Sequence, residues 1–188
     1  MDRHEHLIWK ALSSRRILDT PIFTVNEEEA LGPDGRRSSF IIVDAPDWGI
    51  ILPVLVREGE ERFLMVRQFR HGAGAMSLEF PGGVIERGED PAAGAARELL
   101  EETGYRAGRV EPLGSVFPNP AFQRNRCHVF LARELELVGD QRLDENEFVD
   151  VEEVPVREAL ASAGNPPFIH SLMVMSIVLY ERRVRADG

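Results

Sequence analysis

The run from Asp90 to Gly104 constrains the chain more than any other stretch, because it carries its own start, buried face and stop. Asp90 supplies an N-cap oxygen, and Pro91 suits the first turn, where its missing N–H costs nothing. Ala92, Ala95, Ala96, Leu99 and Leu100 then share one face at helical spacing, and Gly104 ends the run. A second helix is expected over Phe168–Val184, apolar almost all round before turning basic at Arg182, Arg183 and Arg185. The rest reads as strand. Arg16–Val25, Ser39–Asp44, Trp48–Val56 and Arg62–Arg70 are rich in Ile, Val, Leu and Phe and are parted by turn residues, which predicts an antiparallel meander. Gly108–Leu113, Cys127–Leu137 and Phe148–Val154 are further strands. Two helices and many strands in 188 residues give one α+β sandwich, with no repeat or linker to divide it.

The polar side of the first helix is unusual. Glu98, Glu101 and Glu102 crowd one arc of its surface, and like charges at i, i+3 and i+4 destabilise an isolated helix by a few tenths of a kcal/mol per pair. Such a cluster calls for an external positive charge, and carboxylate oxygens with a nearby backbone carbonyl suit Mg²⁺ or Mn²⁺. Because Mg²⁺ tends to complete its shell with water and phosphate oxygens, a phosphate-bearing substrate is implied. Arg97, on the neighbouring face, is placed to pair with Glu101 or to reach back to Glu89.

Charge and cysteine content bound the partners. Lys and Arg number 22 against 32 Asp and Glu, a net charge of −10, the wrong sign for gripping nucleic acid nonspecifically. The single cysteine, Cys127, forms no internal disulfide, Met1–Lys10 lacks the apolar region of a signal peptide, and the longest apolar stretch, Leu172–Tyr180, is too short to span a bilayer. These features predict a soluble cytoplasmic protein with neither membrane nor nucleic-acid partner.

From Gly83 to Tyr105 the chain matches the pattern G-x5-E-x7-R-E-U-x-E-E-x-G-U, with Gly83, Glu89, Arg97, Glu98, Leu99, Glu101, Glu102 and Gly104 in the fixed slots and Tyr105 in place of the final aliphatic residue. This resembles the Nudix box. Gln68-Phe69-Arg70, Leu78-Glu79-Phe80-Pro81-Gly82-Gly83 and Pro120, 16 residues after Gly104, resemble the ADP-ribose and nucleotide-sugar pyrophosphatase branch of that family. Asn119-Pro120-Ala121, Asn125-Arg126-Cys127-His128, Trp48, the Leu143-Asp144…Glu147 run and Ile169–Leu172 look like its nucleoside diphosphate sugar hydrolases. The resemblance touches most of residues 45–180.

It implies an α/β/α sandwich with a mixed sheet preceded by antiparallel strands, and Mg²⁺-dependent cleavage of a nucleoside diphosphate sugar such as ADP-ribose or GDP-mannose into nucleoside monophosphate and sugar phosphate. Carried over residue by residue, Glu98, Glu102 and the Gly82 carbonyl match metal-ligand positions, and Glu101 a further ligand or an orienter of bound water. Gly83, Glu89 and Arg97 fill supporting slots. The general base falls to Glu147, with Glu145 second. Substrate contacts fall to Arg70, Glu79, Asn119, Arg124 and Arg126. Residues 1–45 are expected to build a homodimer and help complete the substrate pocket, and residues 46–188 to form the catalytic domain, within one structural unit.

Three other readings are compatible with parts of the sequence. A non-catalytic nucleotide-sugar sensor would not need the full set of carboxylates present here. An RNA 5′-end or nucleoside triphosphate pyrophosphohydrolase would share the box but is disfavoured by the net charge and the long N-terminal strands. A cysteine hydrolase built on Cys127-His128 fails because neighbours on a strand point to opposite faces.

Overall fold

The computed structural model describes residues 3–187. The chain divides into two compact units, one holding the chain up to Pro46 with Phe117–Arg126, the other Asp47–Val116 with the chain from Cys127 onward.

In the first unit β1 (Lys10–Asp19), β2 (Thr24–Leu31) and β3 (Arg37–Asp44) form an antiparallel sheet in that order. The expected strand over Arg16–Val25 is instead the hairpin corner between β1 and β2. Pro21 has no N–H to give to a ladder, and the Thr20 hydroxyl closes the turn, donating to the Phe23 carbonyl at 2.6 Å and accepting the Phe23 N–H at 3.0 Å. β2 includes Asn26-Glu27-Glu28-Glu29, which carries little apolar signal. Cross-strand pairs hold its carboxylates, Arg15 on Glu27 at 2.6 Å and Arg37 on Glu29 at 3.3 Å. The segment Phe117–Arg126 joins this unit at Val43, whose N–H donates to the Phe122 carbonyl at 2.7 Å and whose carbonyl accepts the Arg124 N–H at 3.0 Å.

The second unit is a seven-stranded mixed sheet built from β4 (Trp48–Arg57), β5 (Glu60–Arg70), β6 (Ala75–Glu79), β7 (Gly82–Val84), β8 (Tyr105–Val116), β9 (Cys127–Leu137) and β10 (Asp150–Pro155). Its main order is β10-β5-β4-β9-β8, with β6 added to β5 and β7 to β4. The antiparallel meander predicted from the first half therefore does not run through: β4 lies between β5 and β9 and pairs with β9 in parallel. The helices are α1 (Pro91–Thr103), α2 (Val156–Ser162) and α3 (Ser171–Asp187).

Alternation along the central strands makes the layers. Ile51 and Leu55 of β4, Leu64 of β5 and Phe130 and Ala132 of β9 bury one face against Ala95 and Leu99 of α1. Leu52, Val54, Phe63, Met65, Val129 and Leu131 bury the other against Ala159 of α2 and Leu172, Met173, Ile177 and Tyr180 of α3. This is the α/β/α arrangement with a mixed sheet, in an α+β chain whose N-terminal strands are antiparallel. Asp90 caps α1 by accepting the Ala93 N–H at 3.2 Å, and Gly104 ends it at φ 73°, where its N–H donates to Leu100. α3 begins at Ser171, and the expected start, Phe168, packs into the core from the preceding turn. Among the described residues no helix is long and apolar enough to cross a membrane.

Candidate active site

Two elements build the site. The short strand β7 lies beside β4, and α1 packs across it so that the polar arc of the helix faces the Gly82-Gly83 backbone. Two glycines leave no room for a side chain here. A Cβ on Gly82 would collide with the Gly49 carbonyl, and one on Gly83 would stand 2.6 Å from the Glu98 carboxylate carbon. The two collisions differ in kind: backbone cannot retreat, whereas a carboxylate can swing. Gly83→Ala is therefore expected to fold near normally while displacing Glu98 and lowering turnover about 10- to 100-fold, as ångström-scale misplacement does. Gly82→Ala should lose thermal stability instead. Melting curves and kcat of the two variants check this pair.

Arg97 is the hub. Its guanidinium meets Glu89 at 3.1 and 3.3 Å, Glu98 at 2.9 Å, Glu101 at 2.9 Å and the Val84 carbonyl at 3.1 Å. Glu89 also accepts the Glu86 N–H at 2.9 Å, and the Arg97 bond together with this one holds its carboxyl below the ordinary range. Arg97 thus fixes the loop before α1 and neutralises part of the helix arc.

Glu102 lies deepest, 4% exposed, and accepts the Gly82 N–H at 2.9 Å. Burial pushes its carboxyl up to about 8; the Gly82 bond and Arg70 pull the other way, while the charges of Glu98 and Glu147 reinforce the rise. Glu98 is also raised, by burial and by Glu101 and Glu147, against the lowering pull of Arg97. The carboxylates the helix gathers are thus held at an electrostatic cost.

Arg70 and Glu79 form a bidentate pair at 2.9 and 2.7 Å, with Glu79 buried. Burial pushes Glu79 up, but the Arg70 hydrogen bond and charge, aided by His170, more than offset it and leave the carboxyl below its usual value. His170 stands 3.9 Å behind Glu79, and burial lowers its imidazole.

A cleft of about 270 Å³ brings much of this together: Arg70, Gly82, Gly83, Arg97, Glu98, Glu101, Glu102 and Glu147 all line it, joined by Gln68, Val84, Arg142 and Asp144. Of the two candidate bases, Glu147 is at the cleft, its carboxylate accepting the Asp144 N–H at 3.1 Å, and Glu145 is exposed and outside the lining. Glu79 and Glu89 stand behind the lining, holding its arginines. Asn119, Arg124 and Arg126 belong to the first unit. There Arg124 pairs with Glu28 at 2.5 Å and Asp44 at 3.4 Å, Arg126 lies 4.4 Å over the Phe117 ring, and the Asn119 carbonyl accepts the Phe122 and Gln123 N–H groups. Neither Arg142 nor Gln68 is given a site role by the sequence reading. Gln68 sits beside Arg70 in a legible motif, whereas Arg142 lies in a loop without one. Cys127 is buried with its thiol pushed up to about 12 by burial, an inert group, and His128 turns to Asp47 at 3.2 Å.

The cleft presents five carboxylates and no sulfur or imidazole, a donor set for a hard divalent cation. Among the described residues no three such side chains are already converged on one point, since Arg97 holds Glu98 and Glu101 while the Gly82 N–H holds Glu102. The raised Glu98 and Glu102 are the groups a cation would relieve.

Comparisons with known proteins agree with this geometry. The NUDIX domain family matches residues 49–172. An ADP-ribose pyrophosphatase of Bacillus subtilis (strain 168) is 36% identical over 152 residues, 80% of each chain. A methanol dehydrogenase activator of Bacillus methanolicus is 33% identical over the same length and share. The crystal structure of an ADP compounds hydrolase superposes with a TM-score of 0.84 over 97% of each chain at 22% identity, which establishes the shared fold. Nudix hydrolases generally require divalent metal ions. With the box carboxylates gathered by α1 over the double glycine and the family match running from β4 through α1 into α3, this chain belongs to the Nudix hydrolase family.

Proposed function

We propose that the protein hydrolyses the diphosphate bond of a nucleoside diphosphate sugar, with ADP-ribose the first substrate to test, releasing nucleoside monophosphate and sugar phosphate. The observation that carries the reading is that Glu98, Glu101, Glu102 and Glu147 line one cleft together with Arg70 and Arg142, carboxylates for a cation beside guanidinium groups for phosphate. The similarity to an ADP-ribose pyrophosphatase over 80% of both chains supports the substrate class.

Glu98, Glu102 and the Gly82 carbonyl, with Glu101, would hold Mg²⁺, or Mn²⁺ in its place. Such an ion neutralises charge on the phosphates and lowers the pKa of bound water. The remaining roles fall to the chain. Glu147 takes the proton of the attacking water; its place in the lining beside Glu98 and Glu102 supports it over Glu145. Arg97 keeps the helix carboxylates oriented, and Glu79 holds Arg70 toward the cleft. Asn119, Arg124 and Arg126 are proposed as contacts to the nucleoside or sugar.

A panel of nucleoside diphosphate sugars incubated with Mg²⁺ tests the assignment. Release of both monophosphate products from at least one supports it, and inactivity on all of them with turnover of nucleoside triphosphates refutes it.

Residues 1–45 are assigned to homodimerisation and 46–188 to catalysis. Every residue of β1 is exposed, Leu12, Ile17 and Leu18 among them, and Leu7, Ile8, Trp9, Phe40 and Ile41 add apolar area to the same unit. A free surface of that kind is a pairing face. Light scattering at micromolar concentration should give twice the 21.1 kDa chain mass, and a monomer would contradict the assignment. A cytoplasmic location fits the lone buried thiol, which has no internal partner to pair with.

A further inference from the structure

Three arginines line the cleft, and they are differently employed. Arg97 is saturated by Glu89, Glu98, Glu101 and the Val84 carbonyl. Arg70 commits Nε and Nη2 to Glu79. Among the described residues Arg142 is the cleft arginine whose guanidinium makes neither an ion pair nor a hydrogen bond, so all five of its N–H donors are open.

Its backbone, in contrast, is firmly held. After β9 the chain crosses the end of α1, where Val138 N–H donates to the Gly104 carbonyl at 3.0 Å. The crossing is close enough that a Cβ on Gly104 would strike the Gly139 carbonyl. The Gln141 side-chain amide then bridges the Glu102 carbonyl at 2.6 Å and the Val149 carbonyl at 3.2 Å, and Arg142 N–H donates to the Glu101 carbonyl at 2.7 Å. These bonds satisfy the otherwise orphaned carbonyls of the last helical turn. They also tie the position of Arg142 to the very residues, Glu101 and Glu102, whose side chains line the cleft.

A side chain that ends in an open planar fork, on a backbone latched to the carboxylate helix, is built to meet a ligand rather than to support the fold. Phosphate oxygens match that fork bidentately, and guanidinium stays charged at every working pH. Resting on the diphosphate-hydrolase reading above, we infer that Arg142 binds nonbridging oxygens of the substrate diphosphate, a direct donor that neither Arg97 nor the Glu79-bound edge of Arg70 supplies.

Because the latch uses the backbone N–H of residue 142, Arg142→Gln and Arg142→Lys keep it and change only the fork. With ADP-ribose and Mg²⁺, Arg142→Gln should raise KM about 10- to 100-fold with a smaller change in kcat, as expected for losing charged hydrogen bonds. Arg142→Lys should recover part of the loss, and melting temperatures should stay at the wild-type value. Inorganic pyrophosphate binding, measured by calorimetry without turnover, should weaken by about the same factor in Arg142→Gln. Wild-type hydrolysis with unchanged KM and pyrophosphate affinity in Arg142→Gln overturns the role of Arg142 and leaves the function standing. If the wild type hydrolyses no nucleoside diphosphate sugar, the function falls, and the pyrophosphate affinities decide Arg142 alone: equal values overturn it, and a weaker Arg142→Gln supports it.

Discussion

Glu98→Gln and Glu102→Gln are each expected to lower kcat by at least about 10²–10³-fold while leaving the fold intact. The substitution keeps shape and removes charge. At residue 102 the amide oxygen still accepts the Gly82 N–H that the carboxylate accepts at 2.9 Å, so β7 and α1 stay joined. At residue 98 an amide oxygen still meets Arg97, which retains Glu89 and Glu101. What is lost is negative charge at the two most enclosed points of the helix arc, the places where a divalent cation would be bound. Steady-state kinetics with matched circular dichroism spectra check the outcome, and near-normal turnover in both variants would remove α1 from the chemistry.

The second large effect is on stability and has the opposite sign. In metal-free buffer the wild-type protein should lose stability as pH rises from about 4.5 to 8. Glu102 is held near 8 in the fold against an ordinary value of 4.5, because burial disfavours its charged form. Below 4.5 the group is protonated in both folded and unfolded chains and contributes no difference. Between the two values the unfolded chain has released its proton while the fold retains it, so unfolding is progressively favoured, by less than the limiting slope of about 1.4 kcal/mol per pH unit because Glu102 opens onto the solvent-filled cleft. Above 8 both are ionised and the penalty levels off.

Glu102→Gln removes this group from the titration, so at pH 8 without metal the inactive variant should be the more stable by roughly 1–3 kcal/mol, about 3–10 °C in Tm for a chain of this size. At pH 5 the two should nearly coincide. Adding Mg²⁺ at pH 8 should raise the wild-type Tm more than that of Glu102→Gln, since ligand binding to the native state stabilises it. Thermal scans of both proteins at pH 5 and 8, with and without Mg²⁺, read all four arms. Equal slopes with pH for the two proteins would contradict the burial of an ionisable Glu102.

The parts of the fold that were legible in sequence are those whose signals are local. α1 announces itself through Asp90, Pro91 and Gly104, and those residues cap and end it as their chemistry requires. The central strands β4, β5 and β9 are buried on both faces and read as continuous apolar runs. β2 was hidden because Glu27 and Glu29 are stabilised by arginines on neighbouring strands, a tertiary fact no window of residues contains. The parallel pairing of β4 with β9 is equally non-local, since its register joins Trp48 to Cys127.

The site divides in the same way. Glu98, Glu101 and Glu102 share an arc because helix geometry dictates it, and the proximity of Arg97 to Glu101 follows from the i, i+4 spacing. The contact from Gly82 to Glu102 needs β7 to pair with β4 first, and a three-residue strand of Gly, Gly and Val has almost no strand signal of its own. Arg142 reaches the cleft only because Gln141 and its own N–H are latched to the end of α1. Its neighbours in sequence, Leu143 and Asp144, carry a motif, but nothing in the residue types predicts the latch.

The most direct measurement of the central claim is hydrolysis of ADP-ribose in ¹⁸O-labelled water with Mg²⁺, with the products resolved by mass. Attack of water on phosphorus predicts AMP and ribose phosphate in equal amounts, one labelled oxygen per turnover in the phosphate of one product, and no products when the metal is chelated. Cleavage without label, or products other than the two monophosphates, would contradict it.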